Sequence, residues 1–327
     1  HKDLPLLNAV IPREFTAVLV KGRGNYISLR RLKLAGERAD SLFAREEELQ
    51  QLQQIQRWAR TSSDGSLSDL TFRPHGAVWD EVASDSNNCL GRKCEFHNDC
   101  FYYRARRRVH NAQVLVVNHA LFFSDLALRS VGASILPDYQ SVVLDEAHTI
   151  EAVAADHLGL GVTSGQIEFS LNKLYNDRTN KGLFVHFGLQ QAQEQVLACH
   201  YRADELFDKV REWYEQHPET NGRILVPRLF PNDLSSALKK LAKTVQGVAE
   251  DVADPSARQD LTSIQNRLNS LASELTQWIK QQIPQAVYWT QVTTNRYGKS
   301  RVTLAAAPVD IGPLMREQLF DLVPSVV

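Results

Sequence analysis

The feature that most restricts this chain is a short apolar run that stops on two carboxylates, Ser141-Val-Val-Leu-Asp145-Glu146-Ala-His148-Thr-Ile-Glu151. Val142 to Leu144 reads as a buried strand. Acids at the carboxyl end of a buried strand sit where α/β sheets bind their ligands. In nucleotide hydrolysis one such acid holds a magnesium ion and its neighbour orients or deprotonates the attacking water. The competing reading of the same residues is a solvated acidic turn.

The length, 327 residues, allows two or three domains and a sizeable core. Apolar content of 43% and charged content of 23% are those of an ordinary globular protein. The net charge of −1 says nothing about phosphates, so any attraction to nucleic acid must come from local patches. With no leader-like segment and no run long enough to span a membrane, a cytoplasmic protein is expected. Three of the four cysteines fall within twelve residues, Cys89-Leu-Gly-Arg-Lys-Cys94-Glu-Phe-His97-Asn-Asp-Cys100. The residues between them do not belong in a core. The spacing therefore points to thiolates converging on one metal or cluster, with His97 able to complete a zinc site instead. Cys199 lies on an apolar stripe with Val196, Ala203, Leu206 and Val210 and reads as a core thiol.

Upstream, Ala17 to Val20 reads as a short strand running into Lys21-Gly-Arg23-Gly-Asn25-Tyr26. Glycines beside cations suit either an anion site or a basic surface turn. The segment is not a Walker A loop, because no Gly-Lys-Ser/Thr follows. Residues 41 to 60 read as an amphipathic helix, and residues 61 to 88, rich in Ser, Asp and Asn, as a loop. After the thiols, Phe101-Tyr102-Tyr103-Arg104-Ala-Arg106-Arg107-Arg108 joins aromatic faces to cations. That pairing suits single-stranded nucleic acid, although a solvated helix face also carries such runs. Val114 to Val117 is a further buried-strand candidate. The Asn118-His119 pair that ends it either contacts a ligand or caps the next helix.

Residues 166 to 282 turn to long helical patterns, with Leu234, Leu238, Leu241 and Val245 on one seam and Leu261, Ile264, Leu268 and Leu271 on another. Asp254-Pro255 marks the turn between them. Strand patterns return at Val287 and Val302, a short helix follows over 315–320, and the chain ends on Ser325-Val326-Val327.

Taken together, the blocks Lys21 to Leu32, Cys89 to Cys100, Val114 to Leu121, Asp145 to His148 and Ala307 to Phe320 resemble, in order, a DinG-type DNA helicase. That group is related to the XPD family of iron–sulfur helicases within superfamily 2. The resemblance implies an α/β fold, with a partial RecA-like motor domain interrupted by two insertions. Residues 1–34, 111–162 and 286–327 would belong to the motor, 35–110 to an iron–sulfur-type loop domain, and 163–285 to a mostly helical Arch domain. It also implies ATP-driven 5′-to-3′ movement on single-stranded DNA, with forked or structured DNA as substrate, work in DNA repair, and a monomeric state.

Residue by residue, the resemblance implies that Asp145 holds Mg2+ through water, that Glu146 activates the hydrolytic water and that His148 couples nucleotide to DNA. Lys21, Arg23, Asn25 and Tyr26 would line the DNA path together with Tyr102, Arg104, Arg106, Asn118 and His119. Cys89, Cys94 and Cys100 would hold a [4Fe–4S] cluster. The chain departs from the family pattern in three ways. It has no Walker A loop, it has no second motor domain, and Ser28 stands where the family's first cluster cysteine is expected. The first two departures predict that this chain alone hydrolyses ATP poorly. Two other readings fit the same residues: a non-catalytic DNA-binding module with a zinc loop, and a helicase-like protein whose chemistry belongs to a fused exonuclease.

Overall fold

Helices and strands segregate around three separate apolar clusters in this computed structural model, which describes residues 3–129, 132–294, 298 and 300–327. The chain begins with helix α1 (Asp3–Val10) and strand β1 (Ala17–Leu19), then forms α2 (Leu29–Glu37), α3 (Ala39–Leu42), α4 (Glu46–Thr61), α5 (Gly76–Val82) and α6 (Phe101–His110). Next come β2 (Val114–Val116), α7 (His119–Arg129), β3 (Ser141–Val142), α8 (Ile150–Leu158) and β4 (Leu160–Thr163). The helices α9 (Ser164–Leu174), α10 (Leu183–His186), α11 (Gln190–Gln216), α12 (Asp233–Asp251) and α13 (Pro255–Lys280) follow. Strands β5 (Ala286–Thr294) and β6 (Ser300–Pro308), helix α14 (Gly312–Met315) and strand β7 (Ser325–Val326) complete the order.

The first cluster joins α2, α4, α5 and α6, with Ile27, Ile55, Val78 and Val82 fully buried. Here α4 buries Leu52 and Ile55, as the apolar stripe requires, with Leu49 and Trp58 packed at its margin. The loop expected over residues 61–88 instead contains α5, whose Val78, Trp79 and Val82 enter this core. Ser and Asp flank it, and its single apolar turn is too short for periodicity to reveal. Gly65 has a φ of 64° and lies against the Phe101 ring, where a Cβ would sit 2.1 Å from the ring carbon. Only glycine fits that approach.

The second cluster holds the strand ends that matter for chemistry. β1 and β2 run parallel with Ala17 opposite Val114, and β3 and β7 run parallel with Ser141 opposite Ser325. One face of these pairs packs on Phe122, Phe123, Leu126, Ala154 and Leu319. The other face is open: Leu19, Val114 and Val116 are exposed, and Val143 is 78% exposed. The strands expected to be buried are therefore only half covered. Among the described residues each has a single neighbour and a helix layer on one side, so alternate side chains point to solvent.

The third cluster is the largest. α12 and α13 pack as an antiparallel pair along the leucine seams, and α11 adds Val196, Cys199, Leu206 and Val210. Asp254 caps α13, accepting from the Ala257 N–H at 2.8 Å, with Pro255 in the first turn. Burial among apolar side chains pushes the Cys199 thiol up to about 12, as suits a core thiol. β4, β6 and β5 form an antiparallel sheet in that order. Val302, Leu304, Ala306 and Tyr288 belong to this helical core, and the Trp278 indole N–H donates to the Ala305 carbonyl at 2.8 Å. Strands 286–294 and 300–308 thus pack on the helical core, while β6 also pairs with β4 (Leu160–Thr163) and touches α8, so this sheet joins the helical region to the segment 111–162. Their alternating apolar residues face helices α11 and α13, and sequence alternation alone cannot name the layer a strand joins.

Candidate functional site

The acidic turn stands where the β3 ladder ends. The Leu144 N–H donates to the Val327 carbonyl at 2.8 Å, and Asp145 is the next residue. Glu146 takes a left-handed φ of 51°, which a non-glycine residue adopts at a cost of about 1–3 kcal/mol. The turn is held from within. The Asp145 carboxylate accepts the Glu146 N–H at 3.1 Å, while the Thr149 N–H and hydroxyl both donate to the Glu146 carbonyl, at 2.9 and 3.0 Å. His148 Nδ1 lies 3.3 Å from Glu146 Oε2, with 75% and 69% of those side chains exposed.

The end of β2 meets this turn. His119 Nδ1 is 3.3 Å from the Thr149 hydroxyl, which donates to Glu146 and so accepts from His119. Asn118 caps α7, its side-chain oxygen accepting the Leu121 N–H at 2.9 Å. Asp145, Glu146 and His148 thus follow β3 and Asn118 and His119 follow β2, each strand a member of a parallel pair, with the His119–Thr149 contact joining the two ends. Two solvent-facing carboxylates there can hold a hydrated cation and orient a water.

The three clustered thiols share one cavity with Ser28, His97 and Tyr103. All three are half-buried and free. Cys89 Sγ accepts the Gly91 N–H at 3.4 Å and lies 4.0 Å from the Tyr103 hydroxyl. Burial raises the Cys89 pKa, but the Gly91 amide, the Arg23 guanidinium and the Tyr103 hydroxyl outweigh it and hold the thiol below its ordinary value. Burial pushes the Cys100 thiol up. Among the described residues no three His, Cys, Asp or Glu side chains converge, as they stand, closely enough to share an ion.

The [4Fe–4S] cluster implied by the resemblance takes four thiolates. Three are here, and the fourth position is Ser28, whose side chain is the N-cap of α2 and accepts the Arg31 N–H at 3.4 Å. A hydroxyl is also a hard donor that binds iron only when deprotonated. The residues present do not complete the four-thiolate set, and no step below runs through such a cluster.

The basic and aromatic residues divide. Lys21 is committed internally, with Nζ donating to Asp64 at 3.2 Å, Ser66 at 2.8 Å and Ser68 at 2.7 Å. Burial works against ionisation of Asp64, yet Ser66, Arg108 and Lys21 together hold its carboxyl below the ordinary value. Tyr26 is 4% exposed and packs in the core, edge-on to Tyr102. It therefore faces the first cluster and not an open path, with its backbone bridged to Ser66. Arg23 stacks over Tyr102, 3.9 Å from the ring centroid, and Asn25 donates to the Gly22 carbonyl. Arg104 lies over Phe101 at 4.6 Å. Arg106 leaves Nη1 buried with no partner, while Arg107 is exposed on α6.

One constellation was not expected. Asp260 of α13 accepts from Arg38 at 2.9 Å, from Arg30 at 3.3 Å and from the Asn88 amide at 2.9 Å. Arg30 also donates to the Asn88 carbonyl and side-chain oxygens and to the Ser256 carbonyl. All four side chains are buried. The residue next to Cys89 is thus tied to the helical region by a closed ionic network. Charged residues inside amphipathic helices are usually solvated, so only the packed arrangement reveals the pairing.

Acids at strand ends thus stand in one chain with a thiol-bearing loop and a long helical region. Residues 80–167 match the DEAD_2 family, so the chain carries a DEAD_2 domain of the XPD/DinG-like helicase kind. It is 27% identical over 328 residues to the ATP-dependent DNA helicase YoaA of Escherichia coli K12, a match covering 97% of this chain and 48% of that protein. It is 32% identical over 294 residues to the ATP-dependent DNA helicase DinG of Salmonella paratyphi A, covering 80% and 40% respectively. With the ATP-dependent helicase DinG of Mycobacterium tuberculosis H37Ra it shares 31% over 203 residues, 56% of this chain and 30% of that protein. The chain spans about half the length, 48%, of the YoaA relative.

Proposed function

We propose that this chain supplies part of the motor, the metal loop and the helical arm of an ATP-dependent DNA helicase. The observation that carries the proposal is the acidic turn Asp145 to His148 after β3, joined to the end of β2 by the contact between His119 and Thr149. Asp145 would hold Mg2+, which would supply charge neutralisation for the nucleotide phosphates, Glu146 would accept the proton of the attacking water, and His148, paired with Glu146, would link that site to the DNA path. The Glu146 backbone is already strained, so small shifts of the turn can follow nucleotide binding. The open sheet face at Leu19, Val114, Val116 and Val143 is a surface that a RecA-like sheet buries under helices.

DNA is proposed to run along α6, where Tyr102, Arg104, Arg106 and Arg107 offer ring faces and cations. Lys21, Arg23 and Asn25 contribute from the turn above, with Lys21 first leaving Asp64. Unwinding of forked DNA with 5′-to-3′ polarity is the form of activity this arrangement is proposed to serve. Binding of a fluorescent oligo(dT) to this chain tests the path. The affinity is expected to fall steeply with salt, by roughly 0.7 log units per tenfold salt for each phosphate contact. A flat response removes the DNA assignment. In a protein that carries this chain and hydrolyses ATP, Glu146→Gln is expected to abolish hydrolysis and leave oligo(dT) binding intact. Hydrolysis that survives the change removes Glu146 from the role.

A further inference from the structure

Three thiols that share a cavity with no fourth thiol need another donor if they are to hold a metal. Two residues lining the cavity are candidates, Ser28 and His97. Ser28 is engaged in the backbone of α2: its hydroxyl accepts the Arg31 N–H, and its own N–H donates to the Val82 carbonyl at 2.8 Å. His97 is arranged differently. Its Nδ1–H donates to the Gly91 carbonyl at 3.1 Å, which leaves Nε2 as the ring's free lone pair. A ligating imidazole is commonly oriented this way, with one nitrogen anchored on a carbonyl and the other on the metal. The cavity is about 30 Å3, close to the volume of one water molecule and therefore the scale of a single ion.

We propose that Cys89, Cys94, Cys100 and His97 together form a tetrahedral site for one zinc-class divalent ion, with His97 taking the corner that Ser28 does not fill. The proposal rests on the metal-loop part of the preceding section and is independent of the motor. Three thiolates and one imidazole are a common structural zinc set, with sulfur about 2.3 Å and nitrogen about 2.0–2.1 Å from the ion. The donors do not converge as they stand, so binding requires the side chains to rotate inward. All three cysteines are half-buried around one cavity, and Gly91, at a φ of 57°, lies between Cys89 and Cys94. Binding displaces thiol protons and involves no electron transfer. The ion then pins a loop that contributes few apolar side chains of its own.

The test is metal and acid-labile sulfide analysis of the anaerobically purified chain, followed by exchange of the bound metal for cobalt. The expected result is one zinc per chain, no sulfide, and a cobalt spectrum of tetrahedral thiolate–imidazole character. His97→Ala and Cys94→Ser are each expected to weaken zinc binding by more than about 100-fold, since even an orienting partner is worth 10–100-fold. Ser28→Ala is expected to keep the zinc while melting slightly earlier through loss of the α2 cap. His97→Cys restores a four-thiolate set and keeps the metal even if His97→Ala fails to fold. Four irons with four sulfides, or loss of metal from Ser28→Ala but not from His97→Ala, overturns the His97 assignment and leaves the metal loop standing. No metal under any loading condition overturns both.

Discussion

On the amino-terminal side of Cys89, Asn88 and α2 are anchored by buried charged side chains, whereas around Asp145 the turn is held by its own side chains and faces solvent. Asn88 is clamped by Arg30 and Asp260, and Arg31 donates to the Ala83 and Asp80 carbonyls at the end of α5. The thiol loop is therefore fixed at its root and free only at its donors. The acidic turn has local hydrogen bonds, a strained Glu146 and half-covered strands beneath it. A site meant to hold one ion gains from a rigid frame, because little is lost on ordering it. A site meant to respond to nucleotide state gains from a backbone with low local stability.

The contrast can be broken at several points. The largest effect is expected at Asp260→Ala, which strands two buried guanidinium groups and should cost about 3–5 kcal/mol in denaturant unfolding. A cost under about 1 kcal/mol would mean that the network does not frame the loop. Leu268→Ala, in the fully buried α12–α13 seam, should cost about 2–5 kcal/mol and marks what pure packing is worth here. Asn118→Ala removes the α7 cap beside the acidic turn, and about 1 kcal/mol is expected in the same assay. Val143→Ala should change stability by no more than about 0.5 kcal/mol, because its side chain is 78% exposed. A large loss there would mean that the open sheet face is covered in solution.

Much was legible in the residues themselves. The leucine seams fell in register because helical spacing is a local property, and Asp254 with Pro255 marked its turn because capping needs only neighbouring atoms. The acids after Leu144 reached a strand end for the same reason: an apolar run and its polar stop are contiguous in sequence. The spacing of Cys89, Cys94 and Cys100 brought them around one cavity because a loop of that length cannot carry them far apart. Which layer a strand joins, which cation is free and which donor can complete a metal site depend on segments far apart in the chain. Strands 286–294 and 300–308 went to the helical core, Lys21 went to Asp64 from 43 positions away, and Asp260 met Arg30 across 230. Ser28 became a cap because the first free N–H groups of α2 needed an acceptor within reach. Such long-range pairings are settled only when burial makes an unpaired charge or polar group costly, and burial exists only once the cores have formed.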